Sequence, residues 1–195
     1  MFVKKNYMKS VEQIKLINET INKTKENLKP LSFNLIFWGI IINIMSLVHY
    51  LFPSFIQHTK YTVVAYWIIL PTLGMIYTIR WNIKKGIEIG YQTIMDRTIK
   101  IIWGVFGFGW MLIVFTALIN GFNPVPLILF LLGLVLMMNG LIIKFKPLTA
   151  GGIVMFMFIY SIILNPDANY LLVNMAGVTL GMLIPGIFLS RMKVN

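Results

Sequence analysis

The sequence predicts an all-α fold, a polytopic membrane bundle of six transmembrane helices with both termini cytoplasmic. Four observations carry that prediction. Of the 195 residues, 58% are hydrophobic and only 12% charged, whereas soluble domains carry near 25% charged residues. The mean hydropathy of +0.81 exceeds what a soluble domain of this length can hide, because burial is limited by surface-to-volume scaling. The apolar residues fall into six runs, each near the roughly 20 residues that cross about 30 Å of hydrocarbon. All but one of the basic residues lie in the arm, the tail and alternate connections between those runs.

The spans are placed at about 32–51, 62–78, 101–119, 125–143, 148–164 and 170–190. Breakers separate them: Pro53 and Ser54, the stretch Asn120–Pro124, Lys144–Pro147, and Asn165–Asn169. Residues 1–30 precede the first run as a polar arm, residues 31–195 form the membrane domain, and residues 81–100 form a helical extension of spans two and three. Sixteen of the 17 Lys and Arg lie in the arm, the second and fourth connections and the tail, leaving Lys60 alone on the other side. By the positive-inside rule this puts both ends in the cytoplasm, and a bacterial inner membrane is the expected location. The arm is too long and too polar for a cleaved signal peptide, and no small-x-small site follows it.

The arm reads as an amphipathic helix. Ser10 and Gln13 match a capping box. Ile14, Ile17, Ile21 and Leu28 share one face, with Glu12, Glu19 and Glu26 opposite. That face suits either docking to a cytoplasmic protein or a second copy, or lying on the anionic lipids of the inner leaflet. Pro30 ends the arm before the membrane. The extension from Trp81 to Lys100 carries Ile83, Ile87, Tyr91 and Ile94 along a second stripe, with Gly86 and Gly90 marking close approach or a turn.

Chemistry is constrained by what is missing. The chain has no cysteine, six Asp and Glu, and two histidines. None of the six carboxylates, Glu12, Glu19, Glu26, Glu88, Asp96 and Asp167, falls in a predicted span. Ion-coupled carriers usually place an ionisable group at membrane depth, so that mechanism is not expected. His49 and His58 lack a carboxylate or thiol neighbour, and no metal or cofactor is expected. Ser46 lies one turn before His49, but no acid orients the pair, and no nucleophile–base–orienter set suggests an enzyme.

Within the spans, Asn43, Asn139 and Asn174 are polar, and Pro71 and Pro185 interrupt helices two and six. These five positions suit packing by interhelical hydrogen bonds and kinks. Alternatively they line a cavity of a carrier or pore for an uncharged or lipid-like molecule. Gly177 and Gly181 form a small-xxx-small face, with Gly104, Gly107, Gly151 and Gly152 as further points of close helix contact. Aligning Leu35 and Gly39 with Leu129 and Gly133 gives too few matches to establish an inverted repeat.

The motifs FWG at Phe37–Gly39, HYLFP at His49–Pro53, KFKPL at Lys144 leading into Gly151–Gly152, and IPG at Ile184–Gly186, together with the Lys/Glu arm, give the chain a likeness. It resembles an uncharacterised family of small six-span bacterial inner-membrane proteins with an N-terminal cytoplasmic helical arm. The resemblance implies a cytoplasmic regulatory partner and supplies no site residues. The combined expectation is a non-enzymatic scaffold or regulatory membrane protein, in contact with membrane lipids and without direct nucleic-acid binding.

Overall fold

The computed structural model describes residues 12, 15, 28–90, 93–165 and 167–192. Of the arm's expected docking face, Ile14, Ile17 and Ile21 lie outside the described residues, as do Ser10 and Gln13. Glu12 and Lys15 are helical and exposed. Leu28 packs against the core of the bundle.

Every described element is helical: α1 (Lys29–Leu51), α2 (Pro53–Ile56), α3 (Lys60–Ile89), α4 (Ile94–Asn120), α5 (Val125–Ile142), α6 (Lys146–Leu164), α7 (Tyr170–Val178), a π-helical turn (Thr179–Leu183) and α8 (Ile184–Arg191). Six spans are long and apolar enough to cross a membrane, the sixth being α7, the π turn and α8 together. Their outward faces carry large apolar side chains, among them Ile44, Leu73, Phe108, Met157 and Phe188. In water that surface would be costly; in hydrocarbon it is the expected exterior.

The helix ends follow from their residues. Pro30, Pro126 and Pro147 sit in the first turns of α1, α5 and α6, where a missing N–H costs nothing. Thr59 with Thr62, and Thr93 with Asp96, form reciprocal capping boxes at the starts of α3 and α4. Gly90 (φ +74°) and Gly121 (φ +72°) close α3 and α4 in the left-handed conformation that glycine adopts without strain. Helix α3 runs unbroken past Pro71 to Ile89, where Gly90 caps it. Gly86 has open space where a side chain would stand.

Two kinds of contact assemble the bundle. Glycines bring α5, α6 and the sixth span together: a Cβ on Gly140 would strike the Thr149 backbone, one on Gly152 the Gly133 carbonyl, and one on Gly151 the Gly181 carbonyl. Helix α1 joins this group against the sixth span, with Gly39 at Leu183 and Gly186 at Leu35 and Ile36. These helices enclose the fully buried Leu35, Leu129, Leu136, Leu148 and Met155. Helix α4 packs on α5, with Leu131 seated over Gly109.

Helix α3 is attached differently, through an aromatic ladder on α1. Phe33 stacks on Trp81 at 4.1 Å between ring centroids, Phe37 on Tyr77 at 5.2 Å, and Trp38 lies over Gly74. Large rings hold the two axes apart, so α3 is the least embedded span. The same pairings bring the start of α1 and the end of α3 to one end of the bundle, and the Gly186–Leu35 and Gly151–Pro185 contacts bring the end of the sixth span and the α5–α6 connection there too. That basic end holds Lys29, Arg80, Lys84, Lys85, Arg97, Lys144, Lys146 and Arg191.

Candidate functional site

The polar residues of the spans gather mainly on one seam. Asn43, Ser46 and His49 recur every three residues of α1 and face the sixth span and α3. Asn43 donates from Nδ2 to Thr179 Oγ1 at 3.0 Å, and Asn174 donates from Nδ2 to Ser46 Oγ at 2.9 Å. The Tyr66 hydroxyl donates to the Met45 carbonyl at 2.9 Å, and the Trp67 indole N–H to His49 Nδ1 at 3.0 Å. Ser46 and His49, one turn apart, thus each answer to a different helix, and they do not form a nucleophile–base pair.

Pro185 shapes the lower part of the seam. Its ring has no N–H to return to the Gly181 carbonyl. The chain responds by widening one turn, so that the Ile184 N–H reaches back five residues to the Thr179 carbonyl. Such π turns place a side chain off the regular register; here it is Thr179 that is turned toward Asn43. The freed Gly181 carbonyl abuts Gly151, whose lack of a side chain admits it. Close Cα–H···O contacts of this type recur at helix interfaces.

The five residues expected either as packing positions or as a cavity lining are distributed over different contacts. Asn43 and Asn174 are on the α1–sixth-span seam, and Pro185 is at the α6 crossing. Pro71 is a buried position in the continuous α3. Asn139 is fully buried in α5 and donates to the Val135 carbonyl of its own helix at 2.8 Å. The Oδ1 atoms of Asn43 and Asn139 and the Trp103 indole N–H are buried without a described partner. Gly181 makes the close contact expected of it, and Gly177 an ordinary one against Met155, Leu129 and Phe158. Gly151 and Gly152 are close contacts as expected. Gly107 meets only the Met75 methyl at 3.7 Å, and Gly104 faces open space.

Sequence reasoning missed the Asn34–Asn82 pair, whose amides exchange hydrogen bonds at 3.3 Å beside the Phe33–Trp81 stack. It also missed Thr179 and Trp67 as partners. Among the described residues no group of three His, Cys, Asp or Glu is disposed to hold a metal ion.

A shallow groove of about 420 Å³ lies at the basic end, lined by Arg80, Ile83, Lys84, Ile87 and Glu88. These residues fall on one face of α3 at helical spacing. Ile83 is 59% exposed, Ile87 76%, and Ile94 across the turn 88%. Glu88 is held in an ion pair with Lys85 at 2.6 Å. Arg80 has no described counter-ion, while the charge of Lys84 acts, with that of Lys85, on the Glu88 carboxylate. Comparison with family models, with curated proteins and with solved structures finds no match to this chain.

Proposed function

We propose that the protein is a non-enzymatic scaffold or regulatory protein of a bacterial inner membrane, working through the helices at its basic end. With sixteen of 17 Lys and Arg on one side, the positive-inside rule puts that end, and both termini, in the cytoplasm. The likeness to small six-span inner-membrane proteins agrees with this and adds a cytoplasmic partner to the expectation.

One contrast carries the reading. The polar side chains of the seam bind one another across helices, which is what packing requires. The α3–α4 hairpin instead carries Ile87 and Ile94 at its tip, both largely exposed, among Lys84, Lys85, Glu88 and Arg97. Apolar side chains beyond the hydrocarbon, ringed by charge, are the composition of a protein-contact surface. The occupant is a cytoplasmic protein or a second copy engaged jointly by the hairpin and the arm.

The test compares the full chain with an Ile87→Asp/Ile94→Asp variant and with a deletion of residues 1–28. In-membrane cross-linking and size-exclusion chromatography report co-purifying partners and oligomeric state. Loss of a partner, or a change in oligomeric state, is the expected result. Variants indistinguishable from the parent in both measurements would sink the proposal. Orientation is checked separately, because the chain has no cysteine of its own. Phe55→Cys should react with an impermeant maleimide from outside intact cells, and Lys146→Cys only after permeabilisation.

A further inference from the structure

We propose that the face of α3 around Arg80 and Lys84 is a binding site for an anionic phospholipid, its phosphate held between the two cations. Helix α3 holds a 28-residue stretch, Tyr61–Glu88, apolar enough to span. At about 1.5 Å per residue it exceeds a hydrocarbon layer of about 30 Å by roughly eight residues. The charge-free part of the helix ends at Ile79, so the turns from Arg80 onward leave the hydrocarbon and pass through the headgroup layer at the basic end.

One stripe of α3 faces outward throughout this passage. Leu73 and Ile76 are exposed at membrane depth, and Ile83 and Ile87 continue the same face beyond Arg80. Arg80 and Lys84 are one turn apart on that stripe, where the apolar run gives way to charge. Glu88 is hydrogen-bonded to Lys85 and feels the charge of Lys84 as well, so one carboxylate is shared among the cations and Arg80 is left without a described counter-ion. Cations in excess of the one carboxylate, flanking an apolar groove at headgroup height, match a diacyl lipid with a phosphate. The acyl chain lies along Leu73 and Ile76, and the phosphate meets Arg80, whose planar fork binds its oxygens in pairs. Lys84 adds a point charge from the next turn, and Ile83 lines the groove between them. A zwitterionic lipid offers the same phosphate but brings its own cation, so the site favours an anionic headgroup.

The site goes beyond the partner reading and does not depend on it. An assay in detergent also does not depend on which side of a cell membrane this end faces. Native mass spectrometry of the full chain would count retained phosphatidylglycerol and phosphatidylcholine at equal concentration. One phosphatidylglycerol should be retained in preference to phosphatidylcholine, with about tenfold weaker retention in Arg80→Gln/Lys84→Gln. Arg80→Lys should be intermediate, which separates loss of the fork from loss of fold. Lys144→Gln/Lys146→Gln should retain the lipid like the parent. Equal retention by parent and Arg80→Gln/Lys84→Gln would overturn the site. So would equal loss in the Lys144/Lys146 variant, or displacement of the lipid by millimolar inorganic phosphate, which would mark a free-phosphate site instead.

Discussion

The Trp67 indole N–H donates to Nδ1 of His49 at 3.0 Å, joining α3 to α1 near the end opposite the basic one. Indole is only a donor, so Nδ1 carries no proton and the imidazole is the neutral Nε2–H tautomer. The Gln57 amide nitrogen is placed 3.1 Å from Nε2; two N–H groups cannot bond each other, so the carboxamide has to be flipped to present its oxygen to the ring. His49 is thus a structural junction between α1, α3 and the loop between them. The ring is buried, which gives that junction its weight.

Trp67→Phe should accordingly destabilise the protein by about 1–3 kcal/mol, the cost of an acceptor left buried and unsatisfied. The double variant Trp67→Phe/His49→Leu should recover most of that loss, because removing both partners removes the unsatisfied group. Thermal unfolding in detergent reads both. A Trp67→Phe variant as stable as the parent would show that water reaches Nδ1.

The glycines of the α6 crossing give a sharper contrast. A Cβ at Gly151 would fall on the Gly181 carbonyl, a backbone atom that Pro185 and the π turn hold in place. Gly151→Ala should cost about 1–3 kcal/mol, toward the upper end because no flexible side chain can yield. Gly104→Ala meets nothing within 4 Å and should be neutral, or gain up to about 1 kcal/mol from backbone entropy. If the two substitutions have equal effect on the melting temperature, the close crossing is not as described.

That pair of glycines also shows how far the sequence can be read. The spans were legible because hydrocarbon imposes length and composition: α1, α5 and α6 begin and end within three residues of expectation. Which helices touch was not legible, since an apolar face toward lipid reads like one toward another helix. Gly104 and Gly151 look alike in the chain, and only the opposing atom separates them. Gly39, Gly133, Gly140 and Gly186 were missed for the same reason. Pro185 was legible as an interruption of its helix, whereas Pro71 left α3 continuous. The π turn that brings Thr179 to Asn43 was not legible, because a proline can also sit in a continuous helix, as Pro71 does. The exposed tip of the α3–α4 hairpin was legible, as polar patterned sequence outside the spans.

The Ser46–Asn174 hydrogen bond tests what the seam is for. Interhelical hydrogen bonds in membranes average about 0.6 kcal/mol and reach about 1.7 kcal/mol. A double-mutant cycle with Ser46→Ala and Asn174→Ala should give a coupling energy in that range if the pair serves packing alone. A coupling near zero would mean that Asn174 finds another partner when Ser46 is removed, and that the seam is wetter than its burial indicates.

The connection between α5 and α6 predicts a gain rather than a loss. The Phe145 N–H returns to the Gly140 carbonyl at 2.8 Å and the Lys144 N–H to Leu141 at 3.2 Å. This is the paired pattern that usually closes on a glycine. Here the left-handed position is Lys144, with φ +54°, where an L side chain costs about 1–2 kcal/mol. Lys144→Gly should raise stability by about 1 kcal/mol, less than the full strain because glycine also frees the unfolded chain. Lys144→Asn should gain less, since asparagine tolerates the left-handed region only in part. The ordering glycine, asparagine, lysine in thermal unfolding would establish that the strain sits at Lys144. Equal stability of all three would place the strain elsewhere.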